Sequence, residues 1–149
     1  EGTDEKKKKV KWFYQTDGTK KVFEAKLNYK NQKHSVEILP DGDVVNIEIL
    51  IEFEEIANDA KNNINSYFTK NYTKFNIKKI QIQYTGSNDD LEDLIDEDEF
   101  DEDLVIHYEI EFYGKNEKEN EMFEALFNEK GDLIKRRKIK IKATDNLDY

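Results

Sequence analysis

Cysteine is absent from the 149 residues. That excludes a disulfide framework and any thiol or cysteine-metal chemistry. No apolar run approaches the roughly 20 residues that a bilayer-spanning helix requires, so no transmembrane segment is expected. Gly-x-Ser-x-Gly, the phosphate loop and the dinucleotide fingerprint are all missing, and with them the commonest catalytic and nucleotide-binding signatures. Hydrophobic residues make up only 36% against 39% charged, so the core must be thin. Aromatic residues at 12% offset this, because each ring buries a large area. The formal charge of -10 argues against nucleic acid as a partner, since like charges repel at long range.

The charges that are present are segregated. Lys6, Lys7, Lys8, Lys9 and Lys11 form a basic arm, and Lys135, Arg136, Arg137, Lys138, Lys140 and Lys142 form a basic C-terminal strand. Residues 89–103 are mostly acidic. The simplest expectation is a pliable acidic loop drawn to basic strands of the same chain, with a polyanion-binding patch the lesser alternative. The chain begins at Glu1, which fits either removal of a leader peptide or trimming.

An internal repeat carries most of the architectural information. Residues 22–29 and 36–45 read as strand, turn, strand, Gly42-Asp43 turn and strand. Residues 106–113 and 122–134 repeat this order, with Tyr108-Glu109 answering Phe23-Glu24 and Gly131-Asp132 answering Gly42-Asp43. Alternation with period two places Val10, Trp12 and Tyr14 on one face of a first strand and Phe13 on the other. The same period sets Phe23, Ala25, Leu27 and Tyr29 on one face, followed by Val36 and Ile38, then Val45, Ile47, Ile49 and Ile51. Pro40-Asp41-Gly42 is a strong turn signal.

From Phe53 the period changes: Ile56, Ala57, Ala60, Ile64, Tyr67, Phe68 and Tyr72 recur at spacings of three and four. One amphipathic helix of about five turns is expected there. Ile80, Ile82 and Tyr84 then form a strand. Residues 88–103 read as a low-complexity acidic insert, solvated and mobile, with room for a short helical turn. Strands resume at Ile106, Tyr108, Ile110 and Phe112, at Phe123, Ala125 and Phe127, and at Ile139 and Ile141. The expected fold class is α+β: an antiparallel sheet of about eight strands built from two repeated units, with one long amphipathic helix packed on one face. The expected organisation is a single domain over 1–149, with repeat unit one at 10–52, repeat unit two at 53–142 and the acidic insert at 88–104.

At this point the residues resemble a family. The Val10-Lys11-Trp12 opening, the Phe23-Glu24 hairpin, the Pro40-Asp41-Gly42 turn, the Ile47–Ile51 strand leading into the helix, the exit between Tyr72 and Ile80 and the Lys130-Gly131-Asp132 hairpin look like the PepSY-like proteins of Bacteroidetes. These are also described as β-lactamase-inhibitor-like. The resemblance covers roughly residues 10–141 and implies a secreted or periplasmic protein of tandem helix-plus-strand units merging into one curved sheet, with no established activity. Inhibition of a β-lactamase does not follow from it. The chain departs from the pattern in lacking a helix ahead of Val10 and in carrying the acidic insert. Without that helix, the apolar face of Phe23, Ala25, Val36, Ile38, Ile47 and Ile49 needs another cover. The expected cover is a second copy, a partner segment or the folded acidic insert, since leaving the larger side chains exposed costs about 1.5–3 kcal/mol each.

Candidate chemistry is sparse. Asp96, Asp98 and Asp101 sit at near-alternate positions that suit hard-oxygen coordination of calcium. The EF-hand pattern fails, because its glycine and glutamate positions fall on Asp101 and His107. His34 and His107 have no partner ligand at metal spacing and read as exposed structural residues. Glu24 and Glu109 occupy matched places in the repeats, but matched positions need not meet in space. The aromatic residues Trp12, Phe13, Tyr14, Tyr84 and Tyr113 are the candidate partner-binding set, because Trp and Tyr on an exposed sheet give large contact area at low entropy cost. The expected function is a non-enzymatic, secreted or periplasmic binding module, inhibitory in one version, that recognises a protein partner or itself through the open sheet face. The alternative is a weak calcium-binding or acidic-loop-regulated module. No catalytic residue, cofactor or metal ligand is assigned.

Overall fold

The computed structural model describes residues 10–17, 20–29, 31–96 and 100–140, with the backbone alone at 10–17, 20, 21 and 29. The strands are β1 (Val10–Asp17), β2 (Lys20–Tyr29), β3 (Gln32–Ile38), β4 (Val44–Ile51), β5 (Lys74–Thr85), β6 (Val105–Lys115), β7 (Asn120–Asn128) and β8 (Leu133–Lys138). Their order in the sheet is their order in the chain. The pairs among β1 to β4 and among β6 to β8 are antiparallel. Two helices, α1 (Asn58–Asn71) and α2 (Asn88–Asp96), complete the regular structure. The described residues divide into two compact units, one of residues up to 49 with 84–105, the other of residues 50–83 with 106 onward.

In the second unit the period-two pattern does what it predicts. Tyr108, Ile110 and Phe112 of β6 and Phe123, Ala125 and Phe127 of β7 are buried, while the residues between them are half-exposed. Register pairs them across the ladder, Tyr108 with Phe127, Ile110 with Ala125 and Phe112 with Phe123. Helix α1 lays Ala60, Ile64 and Phe68 onto this face, all fully buried at a spacing of four. Phe68 meets Phe112 edge-on at 4.7 Å between ring centroids, and Tyr67 meets Phe127 at 5.4 Å.

The expected class, α+β with one long amphipathic helix, does not form: the protein is mostly an open antiparallel sheet carrying two short helices. The five-turn helix expected from Phe53 to Tyr72 breaks near its start. Phe53–Glu55 is a single 3-10 turn, closed by Glu55 accepting a hydrogen bond from the Glu52 amide at 2.8 Å. Ile56 and Ala57 then adopt extended ψ values of 140° and 143° before α1 begins. The extended step still buries Ile56 in the same core, so the four-residue spacing continues through a backbone that is not helical. Only Asp59 remains in the first turn of α1 to meet the helix dipole, with Lys70 in its last turn.

The acidic insert also departs from expectation. Instead of a mobile loop it forms α2, which opens on Ser87: its hydroxyl accepts from the Asp90 amide at 3.1 Å, and its carbonyl accepts from the Leu91 amide at 3.0 Å. Asp89 and Asp90 occupy the first turn, where the helix dipole favours negative charge. Leu91, Leu94 and Leu104 pack on Val36, Val44 and Ile47. Of the three covers expected for the first unit, the folded insert is the one that forms. Asn88 tightens the contact by accepting from the Val44 amide at 2.7 Å.

Both repeat turns end on a glycine in the left-handed region, Gly42 at φ +98° and Gly131 at φ +89°. Their surroundings differ. A Cβ on Gly42 would meet open space, whereas one on Gly131 would lie 2.5 Å from the Ala60 carbonyl of α1. Gly42→Ala should therefore cost about 1 kcal/mol from backbone strain alone. Gly131→Ala should cost about 3 kcal/mol, because α1 must shift. Leu91→Ala should cost about 2–4 kcal/mol by removing the buried side chain that caps the first unit. Urea unfolding of the three variants checks these values.

Candidate functional site

Of the five nominated aromatics, Trp12, Phe13 and Tyr14 lie in β1, paired with Ala25, Glu24 and Phe23 across the ladder. Their side chains fall outside the described residues. Tyr84 belongs to the first unit and packs into the cluster beneath α2, its ring 6.2 Å from Phe100 in an edge-on contact. Tyr113 belongs to the second unit. It alternates with the buried Phe112, pairs with Met122 across β7 and donates a short hydrogen bond to the Asn120 side chain.

Tyr113 opens onto a surface groove of about 450 Å³, lined also by Thr73, Lys74, Phe75 and Asn76. These four residues follow α1 directly. Helix α1 ends where Tyr72 turns extended, and Thr73 is held by its amide and hydroxyl, both donating to the Lys115 carbonyl at 2.8 and 3.1 Å. Phe75 lies stacked on Phe68 at 5.0 Å with an interplanar angle of 20°, and still 37% of its surface is exposed. The groove therefore offers two aromatic rings, one rigidly backed by the core, beside an ammonium group, an amide and a hydroxyl. Phe75, Lys74 and Asn76 were missed in the sequence, where the segment after the helix shows no periodicity to single them out.

A second constellation gathers around Arg136 of β8. Its guanidinium donates to both carboxylate oxygens of Glu119 at 2.9 Å and to the Tyr72 hydroxyl at 2.6 Å, and it lies 4.3 Å from the centre of the Phe123 ring. The hydrogen bond from Arg136 holds the Glu119 carboxyl below its ordinary range. Tyr67 and Tyr72 share a hydrogen bond at 3.0 Å. Burial, reinforced by the bond to Tyr72, pushes the Tyr67 phenol well up, so the Tyr67 ring stays neutral. Arg137 pairs with Glu124 at 2.7 Å and Lys138 with Glu121 at 2.9 Å. Three of the four cations of this strand, Arg136, Arg137 and Lys138, are thus answered by carboxylates of β7 and of the turn before it, rather than by the acidic insert as expected. Neighbouring strands in register bring such partners within reach without bending a loop.

The acidic residues converge differently from their spacing. Asp90, Asp101 and Asp103 place carboxylate oxygens within 4.8 Å of one another. Asp96 is an exposed residue at the end of α2, and Asp98 lies outside the described residues. The Ser87 hydrogen bond pulls the Asp90 pKa down, but desolvation and the Asp101 and Asp103 carboxylates outweigh it and leave the value raised. Neither histidine is fully exposed. His34 Nδ1 lies 3.0 Å from the Gln32 carbonyl, and His107, on the polar face of β6, has a buried Nδ1 with no hydrogen-bond partner. Glu24 accepts from the buried Ser35 hydroxyl in the first unit, whereas Glu109 lies in the second.

A raised carboxyl pKa means that the folded state holds the proton more tightly than the unfolded one. The mutual repulsion is absent while Asp90 is protonated, and it sets in as pH rises from the unfolded pKa through the raised folded one. Asp101→Asn should therefore raise the melting temperature at pH 7, leave it nearly unchanged at pH 3, and lower the Asp90 pKa read by NMR titration.

Among the described residues no helix is long and apolar enough to cross a membrane. No family model and no curated protein matches the chain. Among solved structures, it is similar to a DUF2874 family protein from Bacteroides ovatus ATCC 8483, with a TM-score of 0.56 and 14% identity over 92% of this chain and 81% of that one. At that identity the likeness is one of fold.

Proposed function

We propose that this chain is a non-enzymatic module that recognises a protein partner, using the groove beside Tyr113 on the second unit. The observation that carries the reading is the Phe75–Tyr113 pair: a half-exposed ring backed by the buried Phe68 stands beside a tyrosine whose hydroxyl is already held by Asn120. Preorganised aromatics of this kind bind side chains of a partner with little loss of entropy. The absence of a catalytic role is part of the same reading. Its support is that the matched carboxylates Glu24 and Glu109 fall in different units, and so do the two histidines. A secreted or periplasmic location and PepSY-like kinship belong to it as well, supported by the order of sequence motifs over residues 10–141. Two half-buried carboxylates and one exposed one, with no fully buried ligand among them, do not favour the calcium alternative over an ordinary solvated acidic segment.

Selection of a displayed peptide library on the immobilised protein tests this. Peptides enriched on the wild type should bind Phe75→Ala and Tyr113→Ala at least tenfold more weakly, while both variants keep a cooperative melting transition. Equal binding to the variants, or no enrichment over a blank surface, would sink the reading.

A further inference from the structure

Among the described residues the last strand of the sheet has an open side. β8 stands at the end of the strand order, and all six of its residues are exposed. Its register with β7 shows which backbone groups face outward. The Ile139 amide donates to the Met122 carbonyl at 3.0 Å, one step beyond the pair Lys138–Phe123. In an antiparallel ladder, hydrogen-bonded and non-hydrogen-bonded pairs alternate. Ile139, Arg137 and Lys135 therefore bond to β7, while the N–H and C=O groups of Arg136 and Lys138 point away from it. These four groups are the donors and acceptors an added strand would use.

The side chains along that edge select what can be added. Arg136 and Lys138 pair with Ala125 and Phe123, so they lie on the face that α1 covers, and Lys135 and Arg137 lie on the opposite face. Cations therefore flank the edge on both faces. Arg136, Arg137 and Lys138 each hold one carboxylate from β7 or the turn before it, but Lys135 has none among the described residues. Leu133 and Ile134, 42% and 49% exposed, add an apolar step at one end, where a register shift opposite Leu126 and Phe127 ends regular pairing. Edge lysines and arginines repel neutral or basic strands, the usual defence against aggregation. The same charges attract a strand that carries carboxylates at alternate positions.

We propose that the open edge of β8 takes up an extended acidic peptide segment as an added antiparallel or parallel strand, hydrogen-bonded through the backbone of Arg136 and Lys138 and matched in charge by Lys135. This surface is separate from the groove at Tyr113, so failure at either leaves the other standing.

The test uses the full chain and three synthetic ten-residue peptides. One alternates glutamate with valine or threonine, the second replaces each glutamate by lysine, and the third keeps the acidic sequence but is N-methylated at alternate residues. N-methylation preserves charge and removes the strand's donors. Binding is followed by fluorescence anisotropy to about 1 mM peptide, a weak range suited to a six-residue contact, and amide exchange is read by NMR. The expected result is binding of the first peptide alone, with new protection at the Arg136 and Lys138 amides. Lys135→Glu should weaken that binding by about fivefold to tenfold at low salt, as a cooperative melt shows that the variant stays folded. Equal binding of the N-methylated or the lysine peptide, protection at other amides only, or no binding of the acidic peptide would overturn the proposal.

Discussion

An antiparallel sheet whose buried apolar residues gather mainly on one face must have that face covered, and the packing of both helices follows from the requirement. In the second unit the cover is α1, whose Ala60, Ile64 and Phe68 press into the aromatic face of β6 and β7. In the first it is α2, where Leu91 and Leu94, joined by Leu104, close over Val36, Val44 and Ile47. Burial of apolar area supplies the driving force in both cases. With so few hydrophobic residues in the chain, each cover rests on a handful of side chains. Gly131 shows how closely the second one fits, since the turn it makes lies directly against α1.

The many charged residues are arranged around that constraint. Carboxylates of β7 and its preceding turn neutralise Arg136, Arg137 and Lys138 of β8, and the Arg136 side chain uses its apolar plane to shield Phe123 at the edge of the core. Acidic groups at the start of α2 suit the helix dipole, although one of them, Asp90, crowds against Asp101 and Asp103 beyond the helix. This crowding sets a local cost in a segment whose leucines are needed for burial. The balance of leucine burial against carboxylate repulsion makes that segment the electrostatically sensitive part of the first unit.

Function, on this reading, occupies what the covers leave free. The groove beside Tyr113 begins where α1 stops and Phe75 emerges half-covered. The open edge of β8 exists because no described strand follows it in the sheet. One site would recognise side chains through aromatic rings, the other backbone through paired amides and carbonyls. Neither needs a catalytic group, which fits a chain without cysteine or a nucleophile motif.

The period-two and period-four patterns were enough to place the strands up to β7, the buried faces of β6 and β7, and the α1 positions from Ala60 to Phe68, because side-chain direction follows local backbone geometry. The last strand, expected at Ile139 and Ile141, instead runs Leu133–Lys138, with Ile139 beyond its end and Ile141 outside the described residues. The Gly42 and Gly131 turns were legible for the same reason: left-handed backbone is a local property of glycine. The extended step at Ile56 was invisible, since a four-residue spacing continues unchanged through it. Composition made residues 88–103 look like a solvated loop with room for a short helical turn, yet Leu91 and Leu94 there, with Leu104 just beyond, found an uncovered face, and only the tertiary structure supplies that face. Likewise, spacing pointed to Asp96, Asp98 and Asp101, while folding brought Asp90, Asp101 and Asp103 together. Tyr113 was one of five aromatics that the alternation singled out, but its place beside Phe75 was decided where α1 ends against β6. Local sequence determines which way a side chain points; what it meets depends on distant segments, and that was settled by burial in three dimensions.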